Sequence, residues 1–238
     1  MSQRTLARRR REQGLSRPAF YPFNEEFFHT WSDDLAWLLG LIWSDGCLKG
    51  DSVEIVSKDR DLIEAIVTLI GQEEGVKKRK DAEAWYVCFT SQEVADWLRS
   101  LGLTVAKSFS ATFPALPPAY EAAFVRGLID GDGSVDLSSR RPGQQVADLR
   151  VRLVGASPAM RDGFSRWLAQ YGIPYTASHS HDRVWQVTVT KQESLRVLYR
   201  LLYPTPEVSA LARKRRPFDL WMATPRARPG RRWPRDAS

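Results

Sequence analysis

Two short stretches, Leu38 to Gly46 (LLGLIWSDG) and Val125 to Gly133 (VRGLIDGDG), limit what this chain can fold into. Each is an apolar helical segment with a glycine three positions in, a small residue four further on, and then an aspartate followed by glycine. The small pairs are Gly40 with Ser44 and Gly127 with Gly131. Side chains four apart share one helix face, so two such helices can bring their backbones together along it. The spacing predicts a packed helix pair. Gly46 and Gly133 stand where a left-handed C-terminal cap is expected, a conformation glycine takes without a Cβ penalty. Asp45 and Asp132 then end the two helices side by side. Two carboxylates at the negative ends of two helix dipoles resist joint ionisation unless a divalent cation lies between them, so Asp45 and Asp132 form a candidate metal site. A calcium loop in DGDGSVD is excluded, because an EF-hand needs glycine and glutamate where Val135 and Arg141 stand.

Composition narrows the class. A chain of 238 residues with 43% hydrophobic residues can bury an ample core as one large domain or two of about 100 residues. Its two cysteines, Cys47 and Cys88, make neither a disulfide framework nor a zinc spacing, and are expected as core or strand residues in a reducing compartment. No apolar run is long enough to span a membrane and no apolar segment follows the arginine-rich start, so a soluble, intracellular protein is expected. The net charge of +7 points to a polyanionic partner. That charge is concentrated at the ends: six Arg and one Glu in residues 1–20, nine Lys or Arg and two Asp in 213–238, with a net acidic body between. A body of that sign has to bind a polyanion through local basic strips.

The pattern along the chain is a tandem repeat. After the lead-in FYPFNEEFFHTWSDDLAWLLG, with Phe27, Phe28 and Trp31 as an aromatic cover and Ser32 as N-cap, Val53 and Ile55 alternate with polar residues in a strand. Asp59 then caps an amphipathic helix, VKKRK (76–80) and WYVCFT (85–90) form a hairpin, and QEVADWLRSLGL forms a helix. The order recurs after the second motif: strand LRVRLV, Ser157-Pro158 as N-cap and first helical residue, a helix, a hairpin ending in WQVTVT (185–190), and the helix QESLRVLYRLLY. WYVCFTSQE (85–93) and WQVTVTKQE (185–193) share Trp, Val, Thr, Gln and Glu in register, which marks a duplication. The expected class is α+β, with pseudo-two-fold αββαββα repeats around the helix pair.

Both motifs resemble the signature helix of the LAGLIDADG homing endonucleases of the single-chain, two-motif type, and the likeness covers roughly residues 21–218. It implies a basic arm (1–20), a first repeat (21–107), a linker (108–118), a second repeat (119–218) and a basic tail (219–238). It implies two curved antiparallel sheets that embrace double-stranded DNA, and a monomer with internal pseudo-symmetry. Asp45 and Asp132 match the acidic position that binds Mg²⁺, with Mn²⁺ as a substitute, for hydrolysis of one strand each. Lys107, where the first repeat passes into the linker, and Lys214, in LARKRRPF, match the basic residue near the scissile phosphate. Motif 1 departs from the pattern by carrying Trp43 where motif 2 keeps Asp130.

Strand alternation assigns the sheet faces. Trp85, Val87 and Phe89, like Trp185, Val187 and Val189, should face the helices. That leaves Tyr86, Cys88 and Thr90, and Gln186, Thr188 and Thr190, on the DNA side, joined by Lys77, Arg79, Arg150 and Arg152. The tip at Arg140 and Arg141 has no counterpart in copy 1 and would make recognition asymmetric. The implied activity is a double-strand cut with short 3′ overhangs at a long, non-palindromic site. The alternatives are an RNA maturase or a non-catalytic DNA-binding regulator on the same scaffold. An intein is disfavoured, since the chain lacks a nucleophilic first residue and a His-Asn ending.

Overall fold

The computed structural model of the protein describes residues 22–72, 75–80, 82–104, 107–138, 148–180 and 184–224. The arm 1–20, the tip with Arg140 and Arg141, and residues 225–238 lie outside them. Copy 1 runs α1 (Asp33–Ser44), β1 (Gly46–Lys49), β2 (Ser52–Ser57), α2 (Arg60–Leu69), β3 (Lys77–Lys78), β4 (Trp85–Thr90) and α3 (Gln92–Ser100). A single-turn helix α4 (Lys107–Ser110) lies in the connection. Copy 2 runs α5 (Glu121–Asp132), β5 (Gly133–Ser138), β6 (Asp148–Gly155), α6 (Pro158–Gln170), β7 (Thr176–Ser180), β8 (Val184–Val189) and α7 (Gln192–Leu202). The sheets have equivalent orders, β1-β2-β4-β3 and β5-β6-β8-β7, with every pairing antiparallel. The αββαββα duplication is present in both halves.

The two motif helices form the centre. Every residue from Leu35 to Trp43 in α1 and from Ala123 to Asp130 in α5 is buried, as befits helices enclosed on all sides. They meet backbone to backbone. A Cβ on Gly40 would run into the Phe124 carbonyl and lie 2.7 Å from the Gly127 Cα, while one on Gly127 would run into the Trp37 carbonyl. Gly131 faces the Ser44 side chain, whose hydroxyl is satisfied within its own helix by the Gly40 carbonyl at 2.9 Å. The predicted small-residue face is therefore the interface.

Local signals held where they were purely local. Ser32 and Ser157 cap α1 and α6 by accepting from the Leu35 and Met160 N–H groups at 3.0 and 3.4 Å. Asp59 occupies the N-cap position of α2 but makes no capping bond; its carboxylate pairs with Arg213 at 2.8 Å, because a guanidinium from the other copy is within reach. Gly46 and Gly133 are not left-handed caps. Gly133 is extended (φ −80°, ψ 168°), and each glycine opens a strand. What requires glycine there is space: a Cβ on Gly46 would lie 2.6 Å from the Ile42 carbonyl, and one on Gly133 the same distance from the Ile129 carbonyl. The chain doubles back against its helix end and enters the sheet at once.

An additional helix, α8 (Ala212–Ala223), follows copy 2. It contains Pro217 and a run of basic residues, yet Phe218 and Trp221 are buried and Phe218 packs on Tyr199 and Tyr203 at ring separations of 5.8 and 5.7 Å. In copy 1 the corresponding cover comes from the N-terminal aromatics: Phe28 packs on Phe89 and Trp97, and Trp31 stacks on Tyr120 at 5.9 Å. Both cysteines are free and lie half-buried on strands. Since the α1–α5 contact has no room for a methyl group, Gly127→Ala is expected to cost about 3 kcal/mol or more, read as a lowered denaturant midpoint in equilibrium unfolding.

Candidate active site

The helix pair delivers Asp45 and Asp132 to one end of the molecule. Asp45 caps α1, its N–H still bonded to the Leu41 carbonyl at 2.9 Å, and Asp132 is the last residue of α5. A Cβ on Gly131 would lie 3.3 Å from Asp45 Oδ2, so the Asp45 carboxylate sits beside the residue that precedes Asp132. Burial first, and then the Asp132 charge, push the Asp45 pKa up to about 6, against the opposing pull of Lys107, Lys214 and Arg213. Loss of water also raises Asp132, while both lysines pull it down. The carboxylates are oxygen donors whose ionised forms are poorly accommodated by the protein alone, which is the environment a hard divalent cation relieves. Among the described residues no third His, Cys, Asp or Glu joins them. An ion held here would draw its remaining ligands from water and phosphate oxygens, the habit of Mg²⁺.

Lys107 and Lys214 stand behind the carboxylates, one for each motif helix. The Lys107 ammonium donates to the carbonyls of Ile42 at 3.0 Å, Trp43 at 2.9 Å and Ser44. The Lys214 ammonium donates to the carbonyls of Ile129 at 3.2 Å and Gly133. Burial lowers the Lys107 pKa to about 8 in spite of Asp132 and Asp45, and burial with the neighbouring Arg213 lowers that of Lys214.

Three further residues have structural roles at the site, of which Arg126 was not singled out from sequence and Trp43 and Asp130 were noted only as a departure between the motifs. Asp130 is buried and accepts from the Trp37 indole at 2.8 Å and the Leu211 N–H at 2.9 Å, so it fastens the segment leading into α8. Trp43, at the matching place in motif 1, donates its indole N–H to the Thr112 carbonyl at 2.9 Å and fastens the linker. The departure noted between the motifs is thus an exchange of one anchor for another. Arg126, fully buried in α5, donates to the carbonyls of Ser209 at 2.7 Å and Leu202 at 2.8 Å and pairs with Asp33 at the start of α1. An arginine inside an apolar helix is the only sequence signal for it.

The strand faces fall as alternation predicts. Val87, Phe89, Trp185, Val187 and Val189 are buried, and Trp85 is half-buried beneath the Arg60 guanidinium at 4.8 Å. On the opposite face of the first sheet, Lys77 and Arg79 lie over the Tyr86 ring at 5.8 and 5.3 Å, Arg79 pairs with Glu54 at 2.6 Å, and Thr90 bonds to Ser52 at 2.7 Å. On the second, Asp136 holds Arg152 at 2.9 Å and Arg150 at 3.7 Å, Gln186 donates to Ser178 at 2.9 Å, and Thr188 lies opposite Arg152. Thr190 is exposed just beyond β8. The arrangement gathers Lys77, Arg79, Tyr86 and Thr90 on one sheet and Arg150, Arg152, Gln186 and Thr188 on the other.

Two αββαββα repeats meet at a glycine-tight helix pair, with one aspartate at the end of each helix. Residues 119–203 match the family model described as a LAGLIDADG-like domain. Among solved structures the chain is similar to the meganuclease I-SmaMI bound to uncleavable DNA, at 11% identity over 81% of this chain and 88% of that one, with a TM-score of 0.54. A structure of I-SmaMI on an uncleaved DNA target with calcium ions gives 10%, 77%, 87% and 0.50. Mesophilic variants of the homing endonuclease I-DmoI give 18%, 71%, 95% and 0.49. At the identities to I-SmaMI it is the fold that is shared. No curated protein sequence matches the chain.

The raised Asp45 pKa fixes a sign for stability. The unfolded carboxyl ionises near 3.8 and the folded one near 6, so ionisation within the fold costs stability as pH rises through that window, and the cost is complete above it. In metal-free protein, Asp45→Asn is therefore expected to raise the Tm by a few degrees at pH 7.5, and the gap from wild type should shrink as the pH is lowered to 4.5. Differential scanning calorimetry at the two pH values is the measurement.

Proposed function

We propose that this protein is a metal-dependent DNA endonuclease that cuts both strands of a long, non-palindromic duplex target. The observation that carries this is the convergence of Asp45 and Asp132 at the ends of two packed helices, between two antiparallel sheets whose outer faces hold cations and hydrogen-bonding side chains. I-SmaMI, on the same fold, was captured on an uncleaved DNA target with calcium ions, which supports duplex DNA as the partner and a divalent cation as the cofactor.

On this proposal the outer faces bind the duplex, with Lys77, Arg79, Arg150 and Arg152 neutralising phosphates and Tyr86, Thr90, Gln186, Thr188 and Thr190 meeting base edges. Arg79 and Arg152 exchange carboxylate partners for phosphate when DNA arrives. The two faces differ at Tyr86 against Gln186 and at Cys88 against Thr188, so an asymmetric target is expected. Asp45 and Asp132, both ionised, hold Mg²⁺ or Mn²⁺ at the helix ends, one carboxylate serving each strand. The bound ion supplies charge neutralisation at the phosphate and a more acidic water. The rigid Gly40–Gly127 contact fixes the separation of the two carboxylates, and this fixed spacing would set the stagger of the cuts, giving short 3′ overhangs. Since each copy supplies one carboxylate, a single chain is sufficient and the protein acts as a monomer inside the cell.

The test is cleavage of a randomised duplex library in Mg²⁺ or Mn²⁺ by wild type, Asp45→Asn and Asp132→Asn. Wild type should linearise a subset of targets. Each variant should lose double-strand cutting by roughly a hundredfold or more and leave nicks. Cutting by wild type should also fall as the pH drops through about 6, where Asp45 takes up its proton. Duplex binding without any cutting would overturn the endonuclease and favour a binding role on DNA or RNA.

A further inference from the structure

The connection out of copy 1 and the segment after copy 2 do equivalent jobs. Residues 107–112 carry Lys107 to the last carbonyls of α1, receive the Trp43 indole on the Thr112 carbonyl, and receive the Ser157 hydroxyl on the Ala111 carbonyl at 2.6 Å. Residues 209–214 carry Lys214 to the last carbonyls of α5, place the Leu211 N–H on Asp130, and place the Ser209 hydroxyl on Asp34 at 2.7 Å. Each segment is a strap across the end of a motif helix, and each strap delivers one lysine.

A helix C-terminus presents carbonyls that have no partner within the helix and a partial negative charge. Here two such ends lie together with two aspartates. An ammonium has three N–H groups, and Lys107 spends its donors on three successive carbonyls. Lys214 is buried and likewise donates to carbonyls at a motif-helix end, those of Ile129 in α5 and of Gly133 just after it.

We infer that Lys107 and Lys214 are positioning residues, cationic C-caps that hold the two helix ends and through them the Asp45 and Asp132 carboxylates, and not contacts to the phosphate. The inference rests on the proposed endonuclease only for the direction in which the carboxylates act. The caps themselves belong to the free protein.

The experiment compares wild type with Lys107→Met, Lys107→Arg and Lys214→Met, with Arg150→Met as a reference for a phosphate contact. Amide hydrogen exchange is followed in free protein without metal or DNA. Lys107→Met should speed exchange of the Asp45 N–H, the last bond of α1, roughly tenfold or more and leave the Gly133 N–H of α5 unchanged; Lys214→Met should do the reverse. Lys107→Arg, which keeps a cationic donor, should restore most of the protection even if Lys107→Met is too unstable to study. Binding to a random-sequence duplex over a range of salt should keep the wild-type slope in the lysine variants and lose about one charge's worth in Arg150→Met. On a target selected from the library, the lysine variants should lower kcat with KM nearly unchanged. Unchanged exchange together with a salt slope reduced by about one would overturn the inference and make the lysines phosphate contacts. Absence of cleavage by wild type would sink the endonuclease proposal, and the exchange and salt measurements would still decide the caps.

Discussion

The backbone contact between Gly40 and Gly127 is the constraint on which the rest of the molecule depends. Two helices normally stand 8–10 Å apart because side chains fill the space between them. With glycine at the crossing on both sides, carbonyls and Cα atoms of α1 and α5 meet directly. Only at that separation do the helix ends converge, and only then do Asp45 and Asp132 share a site. The same contact joins two repeats that otherwise have separate sheets, so fold and site have one origin.

That convergence has an electrostatic cost. Two helix dipoles place their negative ends together with two carboxylates that have lost much of their water, and the Asp45 pKa near 6 records the strain. The protein offsets part of it with Lys107 and Lys214, whose own pKa values fall because burial exceeds the help of the neighbouring carboxylates. A site still short of positive charge after two buried ammoniums is suited to a divalent cation. The compensation is incomplete in the direction that favours binding one.

Pseudo-symmetry governs the backbone more strictly than the anchors. Trp43 and Asp130 occupy matching positions yet fasten their straps by opposite chemistry, an indole donor to a carbonyl and a carboxylate accepting from an N–H. Aromatic cover for the last helix of each copy comes from the N-terminal lead-in in copy 1 and from α8 in copy 2. Arg126 and Asp59 add ties between the copies, Arg126 reaching Asp33 and Asp59 reaching Arg213. After duplication each half could solve the same packing problem separately, because what must be conserved physically is the position of the helix end, not the atom that holds it.

The sequence by itself determined the features set by periodicity and local sterics. The i, i+4 small residues specified the helix face, strand alternation specified which side chains are buried, and the duplicated WYVCFTSQE and WQVTVTKQE specified the repeat. Ser32 and Ser157 were legible as caps because an N-cap acts within three residues of itself. Only the tertiary structure decided the rest, where partners are distant along the chain. Gly46 and Gly133 turned out to answer crowding at the helix ends, not a left-handed turn. Asp59 left its helix for Arg213, α8 formed despite Pro217 because Phe218 and Trp221 found a core to fill, and the ammoniums of Lys107 and Lys214 came to donate to carbonyls at the ends of the motif helices. A residue's chemistry is written in its side chain, but which of several possible partners it takes depends on what the fold brings within about 3 Å of it.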